Sequence, residues 1–287
     1  MYRSLLFIPG NNERFLVKST SLKPDILCFD LEDSVLSNDK QVARKLVADH
    51  LASRQEDKES STYVRINSVD SGLVEEDLDK IIVKGLDGIV IPKISNSQEV
   101  IEIADKIGLL VSKRGISSRI RIIPSIETAK GVINANSIAL AHENVVALVF
   151  GVFDYLYDMN IDVEYDDGIS YEYARSKIPV DAKAAGIEAL DGIWQEVNDI
   201  DGLIADATNA RKLGYSGKTL IHPSHIIPVH DIFRPTKKQI EWAEKVLAAL
   251  QDAFEKGNTR GAILLDGKMI DAVHYKQAKS VIKAAKQ

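Results

Sequence analysis

SLLFIPGNNER, residues 4–14, decides between two folds. A buried-looking strand, SLLFI, runs straight into the turn PGNNER, which holds a single glycine. An open, doubly wound sheet usually offers a glycine-rich turn after its first strand, because a phosphate must approach the backbone there. One glycine does not supply that turn. Similar apolar runs recur at ILCFD (26–30), TYVRI (62–66), GIVIP (88–92), RIIPS (121–125), VVALVF (145–150), IEALDGI (187–193) and KTLIH (218–222). They alternate little, as strands covered on both faces do.

Helix-period segments separate these runs. Asn38 followed by Gln41 predicts a capping box, with Val42, Leu46, Val47 and Leu51 on one apolar face beyond it. Asp199 to Leu213 carries Leu203, Ile204, Ala207 and Ala210 on a helical period, and Gly214 stands where a C-cap belongs. Eight such βα units in about 225 residues predict an α/β fold, a (β/α)8 TIM barrel. The chain then continues past what closing a barrel requires. Thr236 to Glu255 reads as one long amphipathic helix, followed by a connector, GNTRGAILLDGKMID, and a last helix, AVHYKQAKSVIKAAK. The expected division is a barrel over 1–235 and a C-terminal helical lid extension over 236–287.

The bulk composition narrows the function. The 287 residues carry a net charge of -6, against the basic stripe that nucleic acid requires. No stretch approaches the roughly 18 consecutive apolar residues of a membrane span. The N-terminus lacks a signal-peptide pattern, and the single cysteine, Cys28, excludes an internal disulfide and sits in an apolar run as a packed core thiol. A cytoplasmic protein is the expectation.

In a barrel, chemistry gathers at the C-terminal ends of strands. FDLEDSV (29–35) ends a strand in three carboxylates, Asp30, Glu32 and Asp33. The other tips deliver Arg65 and Asn67, Pro92 and Lys93, Ser125 and Glu127, Asp154, and His222. So many carboxylates converging on one mouth are unfavourable unless a cation sits among them. One or two carboxylates with open positions for water and substrate describe a Mg²⁺ site, with Mn²⁺ as the alternative ion. Glu127 and Asp154, on adjacent strands, are the expected ligands. Arg65, with its planar fork, is the expected clamp for a substrate carboxylate.

The series RSLLFIPG, FDLEDSV, VRIN, PSIETAKG, FG-x-x-D, GYSGKTLIHP and DGKMID resembles the motifs of the citrate lyase β-subunit family, within the HpcH/HpaI aldolase group, whose relatives include malyl-CoA and citramalyl-CoA lyases. The resemblance spans nearly the whole chain in order. It implies metal carboxylates at Glu127 and Asp154, a substrate arginine at Arg65, and a lid aspartate at Asp271 that reaches a neighbouring subunit. It also implies a CoA contact at Lys18 and assembly as a homotrimer or hexamer. One departure concerns the loop after the first PG, which reads GNNER where the family commonly has proline, so that Arg14 is the nearest basic residue. Val152 and Phe153 precede Asp154 where smaller or acidic residues are common.

The implied reaction is retro-aldol cleavage of a 3-hydroxyacyl thioester of CoA or of an acyl-carrier protein into an acetyl thioester and a 2-oxoacid. Asp271 would protonate the departing enolate, given a burial that keeps it protonated. Glu32 and Asp33 stand behind the metal ligands, holding bound waters or orienting neighbours, and Asp30 reads as a packed strand-end residue. The alternatives are an aldolase on free 2-oxoacids, a malate-synthase-like condensation with thioester hydrolysis, and a non-catalytic binding paralogue. GYSGKT has the wrong glycine spacing for a phosphate loop. DMNIDVEYDDG (158–168) lacks the turn glycine and final glutamate of a calcium loop and reads as a flexible acidic active-site loop. His222 and His225 are structural rather than zinc ligands.

Overall fold

Eight parallel strands close on themselves in chain order, β1-β2-β3-β4-β5-β6-β7-β8, with β1 paired to both β2 and β8. They are β1 (Ser4–Pro9), β2 (Ile26–Asp30), β3 (Ser61–Arg65), β4 (Gly88–Ile91), β5 (Arg121–Ile126), β6 (Ala147–Phe150), β7 (Glu188–Asp191) and β8 (Gly217–Leu220). The computed structural model describes residues 1–54, 59–162, 169–255 and 261–285. Most of the acidic segment expected as an active-site loop, residues 163–168, lies outside the described residues. No helix among the described residues is long and apolar enough to cross a membrane.

Inward-facing residues follow the strand period of two. Leu5, Ile26, Cys28, Tyr63, Val90 and Ile123 belong to one buried cluster that fills the barrel interior. Cys28 is a free, fully buried thiol, as expected of a core residue. Two steps beyond these positions the same faces deliver Asp30, Arg65 and Ser125 to the tips, and the next inward step after β5 is Glu127.

The helices around the barrel are α1 (Glu13–Ser19), α2 (Lys40–Ser53), α3 (Val74–Ile81), α4 (Ser97–Arg114), α5 (Ala129–Ala139), α6 (Val152–Asp158), α7 (Glu172–Ala184), α8 (Ile200–Leu213) and α9 (Ile226–Phe233). Asn12, in the GNNER loop that departs from the resemblance, caps α1 by accepting from the Phe15 amide. The expected capping box at Asn38 and Gln41 does not form. A 3-10 turn occupies Ser37–Asp39, and α2 begins at Lys40 with no side-chain cap. Lys40 instead turns back and donates to the carbonyls of Leu31 and Glu32, tying the turn to the β2 tip. The buried face of α2 is Ala43, Val47 and Leu51, and Val42 is exposed. For α8 the expectation holds: Asp199 caps its start, and Gly214, at φ 104°, closes its end in the left-handed region.

The chain divides into two compact units, Tyr2–His230 and Asp231–Gln287, the latter with Met1. Within the second unit, α10 (Lys237–Glu255) and α11 (Ala272–Ala285) pack on a core of Ala243, Val246, Ile270 and Ala278. The segment expected to be a mere connector contains an antiparallel hairpin, β9 (Ala262–Leu265) and β10 (Lys268–Asp271). Its two-residue turn is Asp266-Gly267, both at positive φ (46° and 76°). This turn matches the right-handed twist of the flanking strands.

Candidate active site

Asp30 and Arg65 are direct register partners across β2 and β3. Their side chains meet in a fork: Arg65 Nε donates to Asp30 Oδ1 and Nη2 to Oδ2, each at 2.7 Å. Phe7 lies under the guanidinium, 4.6 Å from ring centre to Cζ. Burial pushes the Asp30 carboxyl upward, but the Arg65 charge and hydrogen bonds outweigh it and hold the group at about 2. Asp30 also accepts the amides of Glu32 and Ser34, so it folds the DLEDS loop around itself. The bidentate edge of Arg65 is therefore taken by Asp30, a correction to its reading as a free substrate fork. What Arg65 offers the mouth is Nη1, 3.2 Å from Glu32 Oε2 and 3.8 Å from Asp33 Oδ2.

Glu127 sits in the one-residue gap between β5 and Thr128, whose side chain caps α5 by accepting from the Gly131 amide. It is 3% exposed. Its Oε1 accepts the Lys93 amide at 2.6 Å. Burial, followed by the charges of Asp154 and Glu32, raises its carboxyl to about 8. Asp154 comes from the first turn of α6 and is about a third exposed. The glycine of FG-x-x-D has a steric reason. A Cβ on Gly151 would overlap Glu127 Oε2 and come within 2.6 Å of the Glu127 Cβ.

Between these carboxylates stands Lys93. Its ammonium is 2.8 Å from Glu32 Oε1, 3.3 Å from Asp154 Oδ1 and 3.6 Å from Asp33 Oδ1. Burial opposes its charge, but the Glu32 hydrogen bond and the surrounding carboxylates raise its pKa. Glu32 Oε2 is buried with no hydrogen bond of good geometry, and burial raises the Glu32 carboxyl despite Arg65 nearby.

This chemistry fits a divalent cation. Asp30, Glu32, Asp33, Glu127 and Asp154 give five carboxylates, and Arg65, Lys93 and Lys40 give three cations. The two raised carboxyls and the Glu32 oxygen without a donor mark where the compensation is incomplete. Among the described residues no three His, Cys, Asp or Glu side chains converge into a complete cage. The candidate set is the pair Glu127 and Asp154, and a hard ion that keeps several waters needs only one or two carboxylates.

Comparison with known proteins settles the family. The model of the family described as HpcH/HpaI aldolase/citrate lyase matches residues 3–223. The chain belongs to this family. It is 35% identical to citrate lyase subunit beta of Haemophilus influenzae over 285 residues, covering 99% of this chain and 97% of that protein. It is 34% identical to the mitochondrial citramalyl-CoA lyase of Rattus norvegicus, covering 99% of this chain and 86% of that one. Among solved structures, CitE of Mycobacterium tuberculosis in complex with magnesium, acetoacetate and coenzyme A aligns with a TM-score of 0.79. It is 26% identical and covers 100% of this chain and 98% of that one.

The barrel thus brings Glu32, Asp33, Arg65, Glu127 and Asp154 into one mouth. Lys18 and Arg14 lie elsewhere, exposed on α1. Lys18 lines a mostly apolar cavity of about 390 Å³ with Phe7, Phe15, Leu22 and His222, and Arg14 is not among its walls. Asp271 caps α11 in the second unit: its Oδ1 accepts the Val273 amide at 2.9 Å and lies 2.8 Å from His274 Nδ1. The hydrogen bonds from His274 lower its carboxyl, so the burial expected to keep it protonated is not a property of the single chain.

Two further motif residues serve the scaffold. Asn67 donates to Asp77 from both its amide and its side chain, tying the β3 tip to α3. Lys218 of GYSGKT is buried between Asp191 and Asp206, so it is no phosphate lysine. The sequence placed Asp30 and Lys93 at strand tips and Gly151 in FG-x-x-D, but assigned none of them a task in the site. Asp30 shares the inward face of Cys28, a direction that the unbroken apolar run ILCF does not reveal.

Proposed function

We propose that the chain is a Mg²⁺-dependent carbon–carbon lyase that cleaves a 3-hydroxyacyl-CoA thioester into an acetyl thioester and a 2-oxoacid. The observation that carries this reading is the pairing of Glu127 and Asp154 beside an immobilised Arg65. That arrangement occurs in a chain similar along its whole length to citrate lyase subunit beta and citramalyl-CoA lyase. Glu127 and Asp154 would hold the ion, which when bound supplies Lewis-acid polarisation of the oxygens of the 2-oxoacid half.

The remaining roles fall to the chain's own residues. Arg65, fixed by Asp30 and Phe7, presents Nη1 to the carboxylate of the 2-oxoacid half and offsets its charge. Asp33, about half exposed, and Glu32, buried, stand beyond the ligand pair to orient bound water. The cavity beside Lys18 and Phe15 suits the thioester carrier, with Lys18 toward its phosphates and Phe15 toward an aromatic base. Cleavage releases the hydroxyl proton to solvent, turns carbon 3 into the carbonyl of the 2-oxoacid as the bond between carbons 2 and 3 breaks, and leaves that bond's electrons in an acetyl-thioester enolate that takes one proton at carbon 2. Asp271 is the proposed donor, delivered by a second copy of the chain in a homotrimer or hexamer that covers it and raises its pKa. Leu264 and Met269, opposite one another on the hairpin and both exposed, support burial of that surface in an assembly. The single buried cysteine is in keeping with a cytoplasmic setting.

The test is direct. The full chain, with Mg²⁺, is mixed in turn with malyl-, citramalyl- and citryl-CoA, and the products are separated. Acetyl-CoA and a 2-oxoacid from at least one of them are expected. Free CoA in place of acetyl-CoA would mean thioester hydrolysis, and no product from any of the three would overturn the lyase reading. Gly151→Ala is expected to lower turnover about 10- to 100-fold by displacing Glu127, with far-UV circular dichroism unchanged. Normal turnover in that variant would remove Glu127 from the mechanism.

A further inference from the structure

Lys93 stands at the tip of β4 in an uncommon backbone state. Three non-glycine residues among those described have positive φ: Asn160, Asp266 and Lys93, the last at 55°. Asn and Asp tolerate that region through short polar side chains, and lysine has no such local compensation. A residue held there persists because its surroundings over-determine it. Here the turn does two things at once. It points the Lys93 amide at Glu127 Oε1, and it places the ammonium among Glu32, Asp33 and Asp154.

Of the three cations, Arg65 and Lys93 are the two that face the carboxylates with their charged ends, and they are not equivalent. Arg65 is 14% exposed in its side chain and locked by two bonds to Asp30. Lys93 is 33% exposed, on a flexible stem, and its contact with Asp154 is looser than that with Glu32. Lys93, which touches Asp154, can leave it without breaking the scaffold.

We infer that Lys93 is a positioning residue that sets the affinity of the site for a divalent cation: its amide fixes Glu127, and its ammonium occupies Asp154 until the cation displaces it toward Glu32. This rests on the reading of Glu127 and Asp154 as the metal pair. An ammonium that shares Asp154 competes with the metal ion and repels it at close range. Removing the ammonium should therefore tighten metal binding, although it leaves the metal-free carboxylates without compensation. A lysine that merely braced the fold would give the opposite result.

The experiment uses the full chain without substrate. Mn²⁺ binding is followed by the loss of the free-ion paramagnetic resonance signal, and Mg²⁺ is measured by competition. Lys93→Met is expected to bind both ions about tenfold more tightly than the unmodified chain. Its metal-free melting temperature should fall, and excess Mg²⁺ should close the gap. Lys93→Gln, which keeps a donor, carries the same prediction if the Met variant fails to fold. Lys93→Arg keeps the charge and should bind no more tightly than the unmodified chain. Unchanged or weaker binding in the neutral variants overturns the inference, as does failure of both to fold in excess Mg²⁺. No Mn²⁺ binding to the unmodified chain would instead overturn the metal reading beneath it.

Discussion

Glu127→Gln is expected to lower turnover of the preferred thioester by about a thousandfold, with the fold intact. The substitution removes one of two carboxylates able to hold the ion, and Lewis-acid stabilisation of this kind supplies several kcal/mol, about tenfold for each 1.4 kcal/mol. The amide also leaves Asp154, which is half-buried and shared with Lys93, as the only remaining carboxylate of the pair. Stability should not fall with activity. In the metal-free chain Glu127 is a buried carboxyl raised to about 8 by burial and neighbouring acids, so a neutral isostere relieves repulsion. A melting temperature equal to or above that of the unmodified chain, with turnover lost, is the expected pair of results. Turnover within tenfold of normal would mean that Glu127 is a packed carboxyl and nothing more.

Asp30→Asn should act in the opposite sense, on stability first. It breaks a buried, bidentate pair and leaves Arg65 with Glu32 as its nearest remaining charge partner. Removing one partner of a buried pair costs about 3 to 5 kcal/mol. The low end applies, about 3 kcal/mol, because Glu32 partly takes over, and the melting temperature should fall by roughly 6 to 12 °C. The pH dependence follows from the same pair. Asp30 is held at about 2, below its value in the unfolded chain. It therefore contributes stability above the ordinary carboxylate range, and that contribution, about 2 kcal/mol, is lost as pH falls toward 2. The Asn variant should lose that share of the acid-side decline. If Asp30→Asn melts like the unmodified chain at neutral pH, Arg65 is held by something other than this fork.

The strands were readable because each is a short apolar run, and that same feature hid the site's inner geometry. With both faces of a barrel strand buried, no polar alternation shows which residues point inward. Asp30 could then be taken for a packed strand end, although two residues earlier Cys28 faces the interior and β2 pairs Asp30 with Arg65. Glu127 and Asp154 could be singled out because each stands in a distinctive stretch, SIETAKG and FGVFD, at the end of an apolar run. Lys93 was named at its tip but given no task, since a left-handed lysine leaves no propensity signal. The hairpin of the second unit is a different case. LLDGKM carries Asp-Gly between apolar residues, the strongest short hairpin signal, and was legible from the start.

Of the acids in FDLEDSV, Asp30 anchors Arg65, and Glu32 and Asp33 surround Lys93. None of the three is expected to be a direct metal ligand. Anomalous diffraction from a manganese-soaked crystal of the full chain tests this most directly. The predicted result is one peak in the barrel mouth, about 2.1 Å from an oxygen of Glu127 and of Asp154, with Glu32 and Asp33 beyond direct ligand distance. A peak ligated by Glu32 and Asp33, or none in the mouth at saturating manganese, would contradict it.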